Sequence, residues 1–537
     1  MDISAEKSAV LSFTRKHMHR FPLHLGSTLL TQVKHHKFLG VVLDRNLSWK
    51  KHVDYLEAKA QRWVNVIRHF AGVRWGANEQ DLLMLHKALV RGSILHSLPV
   101  LHGISRTSEH KLRCILARSL RTCLGVPRSA ETRMVIAEAK EIPVEILRRR
   151  ETVRHYLRLL AHHRRHPLAR KIRNRKHSKV SMCVQEVISN IPPFTVKPVV
   201  HIVLPWTFSV PSILASIPGL KRKKSELPVP VLRQVTLDMM ATVYSNHTAV
   251  FTDGSSTLKG SSAAFVIPAE SLSRGYRLSH RTSSTSADLY AILLFLKQVS
   301  GYQPHSWVVY TDSKAALQCI GSMGIRGSLA PVVTDILQVY KILEERGHQL
   351  ALQWIPGHIG IRGNEEADSM AAAAHRYHKA VSIMLSRGDR RSILSDLVST
   401  LAAQQWRHDI TEWSLLHAED PTLPFCIPSR FPRRFTSLMR RLRLNVAFTP
   451  QFRHILGRSN TVLCPTCTVP ATVEHILMTC QQYTTKRHTL QCQLEAIEHR
   501  PYTISKVLGP WGNLIHQRCA LHAIMGFLTT TGLLDEL

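Results

Sequence analysis

The sequence is poor in acidic residues. Its 537 residues contain 37 Asp and Glu against 71 Lys and Arg, which gives a formal net charge of +34. Such an excess favours a polyanionic partner, because each phosphate that Lys or Arg neutralises releases condensed counterions. A basic face that meets only solvent, or one that meets a membrane surface, is the alternative interpretation. We therefore expect nucleic acid to be the partner.

Long apolar runs and dense cysteines are also missing. No apolar run approaches the roughly 18 residues that would suggest a membrane-spanning helix. The start, MDISAEKSAV, lacks the charged-then-apolar pattern of a secretory signal. Ten cysteines in this length are too sparse for a disulfide framework, and most are isolated. We expect an intracellular protein, nuclear or cytoplasmic, with no membrane partner.

The length exceeds that of one ordinary domain and predicts several. Residues 1–177 have apolar residues at helical spacing and are predicted to be mainly helical. Residues 178–245 contain eight prolines, which predicts an irregular linker without long helices. The cluster KRKK (221–224) in this linker has three interpretations: a nuclear localisation signal, a phosphate contact or a solvated patch. Residues 390–537 are predicted to be a helical, basic tail.

Residues 246–378 have a different pattern. Three short strand-like segments, broken by Gly and Ser, begin near residue 247. Helical and strand-like segments then alternate, with helices predicted over 287–299 and 334–347 and strands over 306–313 and 349–356. This order predicts an α/β domain with a mixed sheet flanked by helices.

Four aspartates stand out in that domain. Asp253 and Asp312 end apolar strand-like runs, Asp288 opens a helix, and Asp368 lies four residues beyond Asn364 on one helical face. Taken alone, each aspartate would be interpreted as a turn residue or a helix cap. Together at one sheet edge they would repel one another unless a cation is bound. Oxygen donors without thiolates suit Mg²⁺ or Mn²⁺, and two such ions about 4 Å apart can hydrolyse phosphodiesters.

Four segments of this domain carry a family resemblance. In order, they resemble the signature segments of the ribonuclease H family: TDGSS (252–256), TSADLYAI (285–292), YTDSKAAL (310–317) and WIPGHIGIRGNEEAD (354–368). The resemblance covers about a quarter of the chain. It implies a five-stranded mixed sheet and metal-dependent hydrolysis of the RNA strand of RNA–DNA hybrids.

The resemblance also assigns roles to residues. Asp253, Asp312 and Asp368 match the family's metal-binding aspartates. His358 matches a mobile-loop histidine that assists water positioning or product release. Asn364 matches a position that contacts the nucleic acid, and Ser255 is also predicted to contact it.

Asp288 stands where the family has glutamate. Aspartate keeps the charge but is one methylene shorter, and a misplaced ligand of this kind can cost about 100-fold in rate. We therefore predict an active two-metal nuclease, with a weak or silent nucleic-acid-binding remnant as the alternative. A nuclease of the same fold acting on DNA is a third interpretation, which the segment with His358 disfavours.

The N-terminal region has a second likeness. Residues 4–13 and 37–53, and the basic helices after them, resemble non-LTR retrotransposon reverse transcriptases from the end of the palm through thumb and connection. The aspartate pair of the polymerase site is absent, since no Asp-Asp dipeptide occurs in the chain. The upstream polymerase region of the same element is thus an expected partner. Three residues are predicted to hold nucleic acid: Arg148, Arg149 and Arg150.

The tail contains a C-x2-C-x7-H-x4-C pattern formed by Cys464, Cys467, His475 and Cys480. Thiolates and an imidazole at these spacings can close a tetrahedral zinc site. Zinc would order a region with little apolar content of its own. Unliganded reduced cysteines are the alternative. The tail resembles that of the same retrotransposon class, so the chain as a whole is predicted to be the C-terminal part of such a polyprotein.

Overall fold

A computed structural model of the chain divides into two compact units. We call residues 1–152 with 398–537 the helical unit, and residues 153–397 the sheet unit. The domain borders predicted from the sequence stay a prediction. The KRKK cluster lies outside the described residues, which are 4–14, 22–73, 75–162, 166–175, 177–189, 209–218, 220, 226–322, 330–409, 415–420 and 424–537.

The strands of the described residues are short at the N-terminus and longer in the sheet unit. In chain order they are β1 Ala9–Val10, β2 His24–Leu25, β3 Thr28–Leu29, β4 Thr31–Gln32, β5 His35–Phe38, β6 Val41–Asp44, β7 Ser212–Leu214, β8 Thr248–Thr257, β9 Gly260–Ile267, β10 Leu272–Leu278, β11 Ser306–Thr311, β12 Gln349–Trp354 and β13 Ala380–Val381.

Helices make up most of the remainder, and none within the described ranges is both long and apolar enough to cross a bilayer. They are α1 Lys50–Phe70, α2 Glu79–Leu85, α3 Gly92–Leu95, α4 Arg106–Leu124, α5 Thr132–Glu138, α6 Val144–His162, α7 Pro167–Asn174, α8 Lys179–Ile188, α9 Val229–Thr242, α10 Ser284–Val299, α11 Lys314–Gly321, α12 Ala330–Glu345, α13 Arg362–Ala374, α14 Arg387–Asp409, α15 Leu415–Glu419, α16 Arg433–Arg443, α17 Pro450–Ile455, α18 Thr484–Ile497, α19 Ile504–Leu508, α20 Leu514–Thr530 and α21 Leu533–Glu536.

The sheet unit is built on one mixed sheet with the strand order β13-β10-β9-β8-β11-β12-β7. Strands β8, β9 and β10 form an antiparallel meander, while β8, β11 and β12 are parallel neighbours. These five strands are the predicted ones, so the α/β fold class is confirmed. Short strands β7 and β13 extend the sheet at its two edges, which the sequence did not predict.

The sheet folds around an apolar core. Helix α10 packs on β8 and β9, and the rings of Phe265, Phe295 and Trp307 meet edge to face in its interior. These rings are almost fully buried, and such aromatic pairs stabilise beyond their buried area. The core therefore holds α10 in a fixed position over the strands that carry the candidate site.

The predicted linker is more ordered than its prolines suggested. Within 178–245, α8 and the 14-residue α9 are regular helices, and β7 pairs with β12. Pro228 precedes α9 and Pro230 lies in its first turn, where no backbone N–H is needed. Leu232 and Met239 are buried in the core of the sheet unit. The prediction of an irregular linker is therefore wrong for these segments.

The helical unit joins the two ends of the chain through buried ion pairs. Arg440 of α16 pairs with Glu79 and Glu138, at 2.6 and 2.7 Å. Arg443 pairs with Glu138 at 2.8 Å and with Asp420 at 2.5 Å. The tail also has its own apolar core, which includes Cys464 and Cys480. Val473, Ile476 and Leu477 also belong to this core, so the expectation that the cysteine–histidine region has little apolar content of its own is wrong.

Candidate active site and cysteine–histidine cluster

Asp253 and Asp312 lie side by side at the end of two parallel strands. Strands β8 and β11 pair in parallel, with Thr252 opposite Thr311. The two aspartates occupy the next position on each strand, so their backbones are about 4.8 Å apart. The same register gives both side chains the same face of the sheet. The sequence prediction that these residues meet at one sheet edge is matched by this pairing.

Asp288 reaches the site from the first two turns of α10. Its side chain is 5% exposed, and its carboxylate accepts hydrogen bonds from the Gly254 N–H and the Ser313 hydroxyl. A Cβ atom at residue 254 would collide with the Asp288 backbone. Glycine at this position therefore lets α10 approach β8 closely enough to form the contact.

Asp368 comes from α13, which packs against β8 and β9. A Cβ atom at Gly363 would overlap the Phe251 ring, so this glycine also permits close packing. Asn364 lies one turn before Asp368 and is 5% exposed. Among the described residues, the Asn364 side-chain oxygen has no hydrogen-bond partner. The helix thus presents a carboxylate and an unsatisfied amide on one face.

The carboxylates affect one another electrostatically. Burial raises the pKa of Asp253 to about 6, and the charges of Asp312 and Asp368 add to this shift. Burial also raises the pKa of Asp288 to about 7, against the lowering effect of the Ser313 hydrogen bond and with a further rise from Asp253 and Asp312. Concentrated negative charge of this kind is what a bound divalent cation relieves.

The carboxylate group is open rather than tightly closed. The ligand atoms of the cysteine–histidine cluster in the tail all lie within 4.8 Å of one another. Among the described residues, the four carboxylates are not grouped as closely as this. The donor set of four carboxylates nevertheless fits hard divalent ions, which prefer oxygen ligands.

The other predicted residues of the domain lie around these carboxylates. His358 is exposed in the loop before α13, has a left-handed φ of 56°, and lowers the pKa of Asp253 through its charge. The Ser255 hydroxyl is 3.0 Å from the His375 Nε2 atom. His358 is therefore close enough to act on the site electrostatically.

The predicted arginines of α6 belong to the helical unit and are half-buried. The Arg148 Nη2 atom is 2.6 Å from Glu109 Oε1, and Arg150 Nη2 is 2.9 Å from Glu151 Oε1. Arg149 lies between them on the helix. Arg148 and Arg150 thus each have a carboxylate partner within the protein, and nucleic-acid binding by these arginines stays a prediction.

The tail brings its four predicted ligands together. The Cys480 Sγ atom is 3.7 Å from Cys464 Sγ and 3.9 Å from Cys467 Sγ. Tetrahedral ligands about 2.3 Å from a zinc ion would be about 3.8 Å apart. His475 Nε2 is buried without a hydrogen-bond partner in the described residues, while Nδ1 is 3.1 Å from the Thr479 hydroxyl. The cluster therefore has the spacing of a tetrahedral metal site with an oriented histidine.

The cysteine thiols of the cluster differ in pKa. Burial raises the pKa of the Cys464 thiol, but the neighbouring His475 imidazole and the N–H groups of Cys467 and Thr466 lower it overall. Burial raises the pKa of Cys480. The cluster thus favours one thiolate before any metal is bound, and a cation would favour the others.

Some residues at the active site were not singled out from the sequence. Ser313 and the Gly254 N–H hold Asp288, and His375 contacts Ser255. Ser313 directly follows Asp312 in the segment YTDS, so its position in the motif was the available signal. The Gly254 N–H and His375 have no comparable signal, because their roles depend on how α10 and α13 pack on the sheet.

Comparison with known proteins supports the domain assignment. The RNase H family model matches residues 245–376. The RNA-directed DNA polymerase from mobile element jockey of Drosophila funebris is 25% identical over 140 residues, which is 26% of this chain and 15% of that protein. Ribonuclease H1 of Mus musculus is 28% identical over 170 residues, or 29% of this chain and 58% of that protein. This chain therefore spans less than two thirds of either relative.

Among solved structures, RNase H1 from the archaeon Halobacterium salinarum matches 24% of this chain and 95% of its own, with 16% identity and a TM-score of 0.20. LC11-RNase H1 in complex with an RNA/DNA hybrid matches 24% of this chain and 97% of its own, also with 16% identity and a TM-score of 0.20. The family match and the mixed sheet agree on the same residues. Residues 245–376 are a ribonuclease H domain, in a chain related to the reverse transcriptase polyproteins of retrotransposons.

Proposed function

We propose that this chain hydrolyses the RNA strand of RNA–DNA hybrids with two divalent metal ions, Mg²⁺ or Mn²⁺. The observation that carries the proposal is the position of four aspartates at one edge of the sheet in a ribonuclease H domain. Raised pKa values at Asp253 and Asp288 support it, because burial and neighbouring carboxylates disfavour ionisation there and a bound divalent cation would offset both effects.

The residues of the site would have different roles in the reaction. Asp253 and Asp312 would hold the ions at the strand ends, and Asp288 and Asp368 would complete the ligand set. When bound, two such ions stabilise the charge on the attacking and leaving oxygens. His358, on its exposed loop, would handle a proton or assist product release. Asn364 would contact the nucleic acid, and an amide there would recognise the ribose 2′-hydroxyl, the group that distinguishes RNA from DNA.

The reaction fits one stage of reverse transcription. Cleavage would remove template RNA after first-strand DNA synthesis and leave 3′-hydroxyl and 5′-phosphate ends. The DNA strand would be made by the polymerase region upstream in the same element. The site of action would be the nucleus or the cytoplasm.

A cleavage assay tests the proposed function. The full chain is incubated with a hybrid whose RNA strand carries a 5′ label, with Mg²⁺ or Mn²⁺ and with EDTA as the control. Ion-dependent RNA cleavage, without cleavage of a DNA duplex of the same sequence, is the expected result. Binding without cleavage would support a silent remnant instead, and cleavage of the DNA duplex would support a DNA nuclease.

The silent remnant is the second candidate, and Asp288 is the observation that favours it. The shorter side chain accepts hydrogen bonds from Ser313 and the Gly254 N–H, which restrict where its oxygens can lie. We expect Asp288→Glu to raise the cleavage rate by about 10- to 100-fold, because the longer side chain extends the carboxylate toward the ions. The rate constant at saturating Mg²⁺ measures the effect, and Asp238→Glu on the exposed face of α9 is the control. An unchanged or lower rate for Asp288→Glu would show that side-chain length does not limit this site.

We also propose that Cys464, Cys467, His475 and Cys480 bind one structural zinc ion. The sulfur–sulfur distances and the unpartnered His475 Nε2 support this. Closed sets of thiolate and imidazole ligands are typical of structural zinc sites.

Removing zinc is expected to loosen the cluster while the rest of the tail stays folded. The apolar core of the tail extends well beyond the cluster and includes Phe435, Leu442 and Leu521. We expect a chelator, or Cys480→Ser, to abolish hydrogen-exchange protection across 463–483 and to leave α16 and α20 protected. Mass spectrometry of metal content should give one zinc per chain, and none in Cys480→Ser. Cys492→Ser, at an exposed position outside the cluster, should keep the zinc; a wild-type chain without zinc would contradict the proposal.

A further inference from the structure

One segment of the chain is basic and contains no acidic residue. Between Glu151 and Glu186, residues 152–185 include ten Lys and Arg and no Asp or Glu. The segment covers the end of α6, all of α7 and the start of α8. Basic side chains here therefore have no acidic neighbour along the chain.

Helix α7 displays this charge on its surface. Arg170, Lys171 and Arg173 of α7, and Arg175 directly after its last residue, are exposed, and none has an ion pair with any of the residues that the structure describes. Spacings of three and four residues put like charges beside each other on the helix, which is unfavourable without a counter-charge. This differs from α6, where Arg148 pairs with a carboxylate. The cations of α7 are thus available to a polyanion.

Apolar contacts and hydrogen bonds fix α7 in place. Pro167 starts the helix, and Ala169 on its inner face is buried. The Ser181 hydroxyl of α8 donates a hydrogen bond to the Ile172 carbonyl. Leu157 of α6 and Leu394 of α14 belong to the same buried cluster as Ala169. The basic side chains therefore project from a packed scaffold.

The same cluster is tied to the ribonuclease H domain. The Arg390 Nη1 atom of α14 donates a hydrogen bond to the Leu157 carbonyl at 3.1 Å. Asp389, one residue earlier, accepts one from the Thr282 hydroxyl of the domain at 2.7 Å. Burial raises the pKa of Asp389, but the His280 side chain 3.7 Å away and hydrogen bonds from Ser386 and Thr282 lower it overall, so the carboxylate is held ionised. Both α7 and the nuclease domain belong to the sheet unit.

We propose that α7 is a second nucleic-acid contact surface of the sheet unit, which binds the phosphate backbone of the hybrid outside the active site. The proposal rests on the proposed function for the identity of the duplex. A helix that lies on a membrane needs an exposed apolar face. In α7 the inner positions Ala169 and Ile172 pack against the protein, and Leu168, 44% exposed, is the one large apolar side chain left outside. Charge without an apolar face favours phosphate over a bilayer.

The surface contacts backbone and not bases, so its effect is on affinity and its salt dependence. We expect the variant in which Arg170, Lys171, Arg173 and Arg175 are all replaced by Gln to bind the hybrid about 10- to 100-fold more weakly at 0.15 M salt. The slope of log affinity against log salt should become shallower by about 0.9 for each phosphate that is no longer neutralised. Anisotropy of a labelled hybrid, from 0.05 to 0.2 M KCl without added Mg²⁺ or Mn²⁺, measures both quantities in the full chain.

Two double variants that remove the same amount of charge from different places test whether the position of the charge matters. Lys171→Gln with Arg175→Gln should lower the slope, whereas Lys297→Gln with Lys341→Gln, which removes two exposed lysines from α10 and α12, should not. The rate of cleavage at saturating hybrid should stay at the wild-type value, which shows that the variants are folded. Equal slopes for the two doubles, or loss of binding to phosphatidylserine vesicles instead of to the hybrid, would overturn the proposal. If the chain binds the hybrid through α7 in a salt-dependent way but does not cleave it, the proposed nuclease function is contradicted and the α7 proposal is not.

Discussion

Replacing Asp253 with asparagine is expected to lower RNA cleavage by about 1000-fold or more while hybrid binding is retained. Asp253 lies in the middle of the site, where burial and the charges of Asp312 and Asp368 raise its pKa to about 6. Asparagine keeps the shape but removes the charge that attracts the ions. Stabilisation of transition-state charge by metal ions amounts to several kcal/mol, and each 1.36 kcal/mol is a factor of ten in rate. Single-turnover cleavage and anisotropy measure rate and binding separately.

The control for this change is Asp238→Asn, which removes the same charge from an exposed position on α9. It should cleave at the wild-type rate. Binding of the hybrid to Asp253→Asn should stay equal or become tighter, since a negative charge near the phosphates is removed. Cleavage by Asp253→Asn within tenfold of wild type would remove this residue from the reaction.

The second large effect is expected on stability, at Arg443. Its side chain is 1% exposed and pairs with Glu138 and Asp420, and it stacks 3.8 Å from the Phe425 ring. Burial raises the pKa of Glu138, but Arg443 and Arg440 lower it overall, so this carboxylate is held ionised. Arg443→Met would leave two buried carboxylates without their main partner. We expect the free energy of opening to fall by about 3–5 kcal/mol.

Hydrogen exchange locates this loss of stability. Protection should fall in α16, which carries Arg443, and equally in α5, which carries Glu138. The two helices are about 300 residues apart in sequence, so a joint loss would show that they open together. Arg430→Met, at an exposed position before α16, should leave both helices protected. Loss confined to α16 would contradict a shared ion network.

The active site was largely predictable because its residues lie in short motifs. Asp253 and Asp312 follow strand-like runs, and parallel neighbours bring their ends to one edge, as the register of β8 and β11 shows. The placement of Asp368 relative to Asn364 follows from helical spacing alone. The hydrogen bonds that Asp288 accepts could not be predicted from the motifs, because they depend on how closely α10 approaches Gly254.

Features with no local signature were missed. The prolines near 228 and 230 predicted an irregular chain, yet they begin α9, and the burial of Leu232 decides in favour of the helix. The pairing of Arg440 and Arg443 with Glu79 and Glu138 joins distant segments, and basic residues alone gave no hint of those partners. In α6 the arginines were predicted to hold nucleic acid, whereas Glu109 lies beside Arg148. Sequence shows which side chains are charged, but only the fold shows which charges are paired.

The central claim is that aspartates from β8, α10, α13 and the end of β11 share divalent ions. Anomalous diffraction from crystals of the full chain grown with Mn²⁺ and a hybrid tests it most directly. We expect two manganese peaks about 4 Å apart, bounded by the oxygens of Asp253 and Asp312, with Asp288 and Asp368 on either side. Manganese bound elsewhere, or no peak within ligand distance of Asp253, would contradict the account.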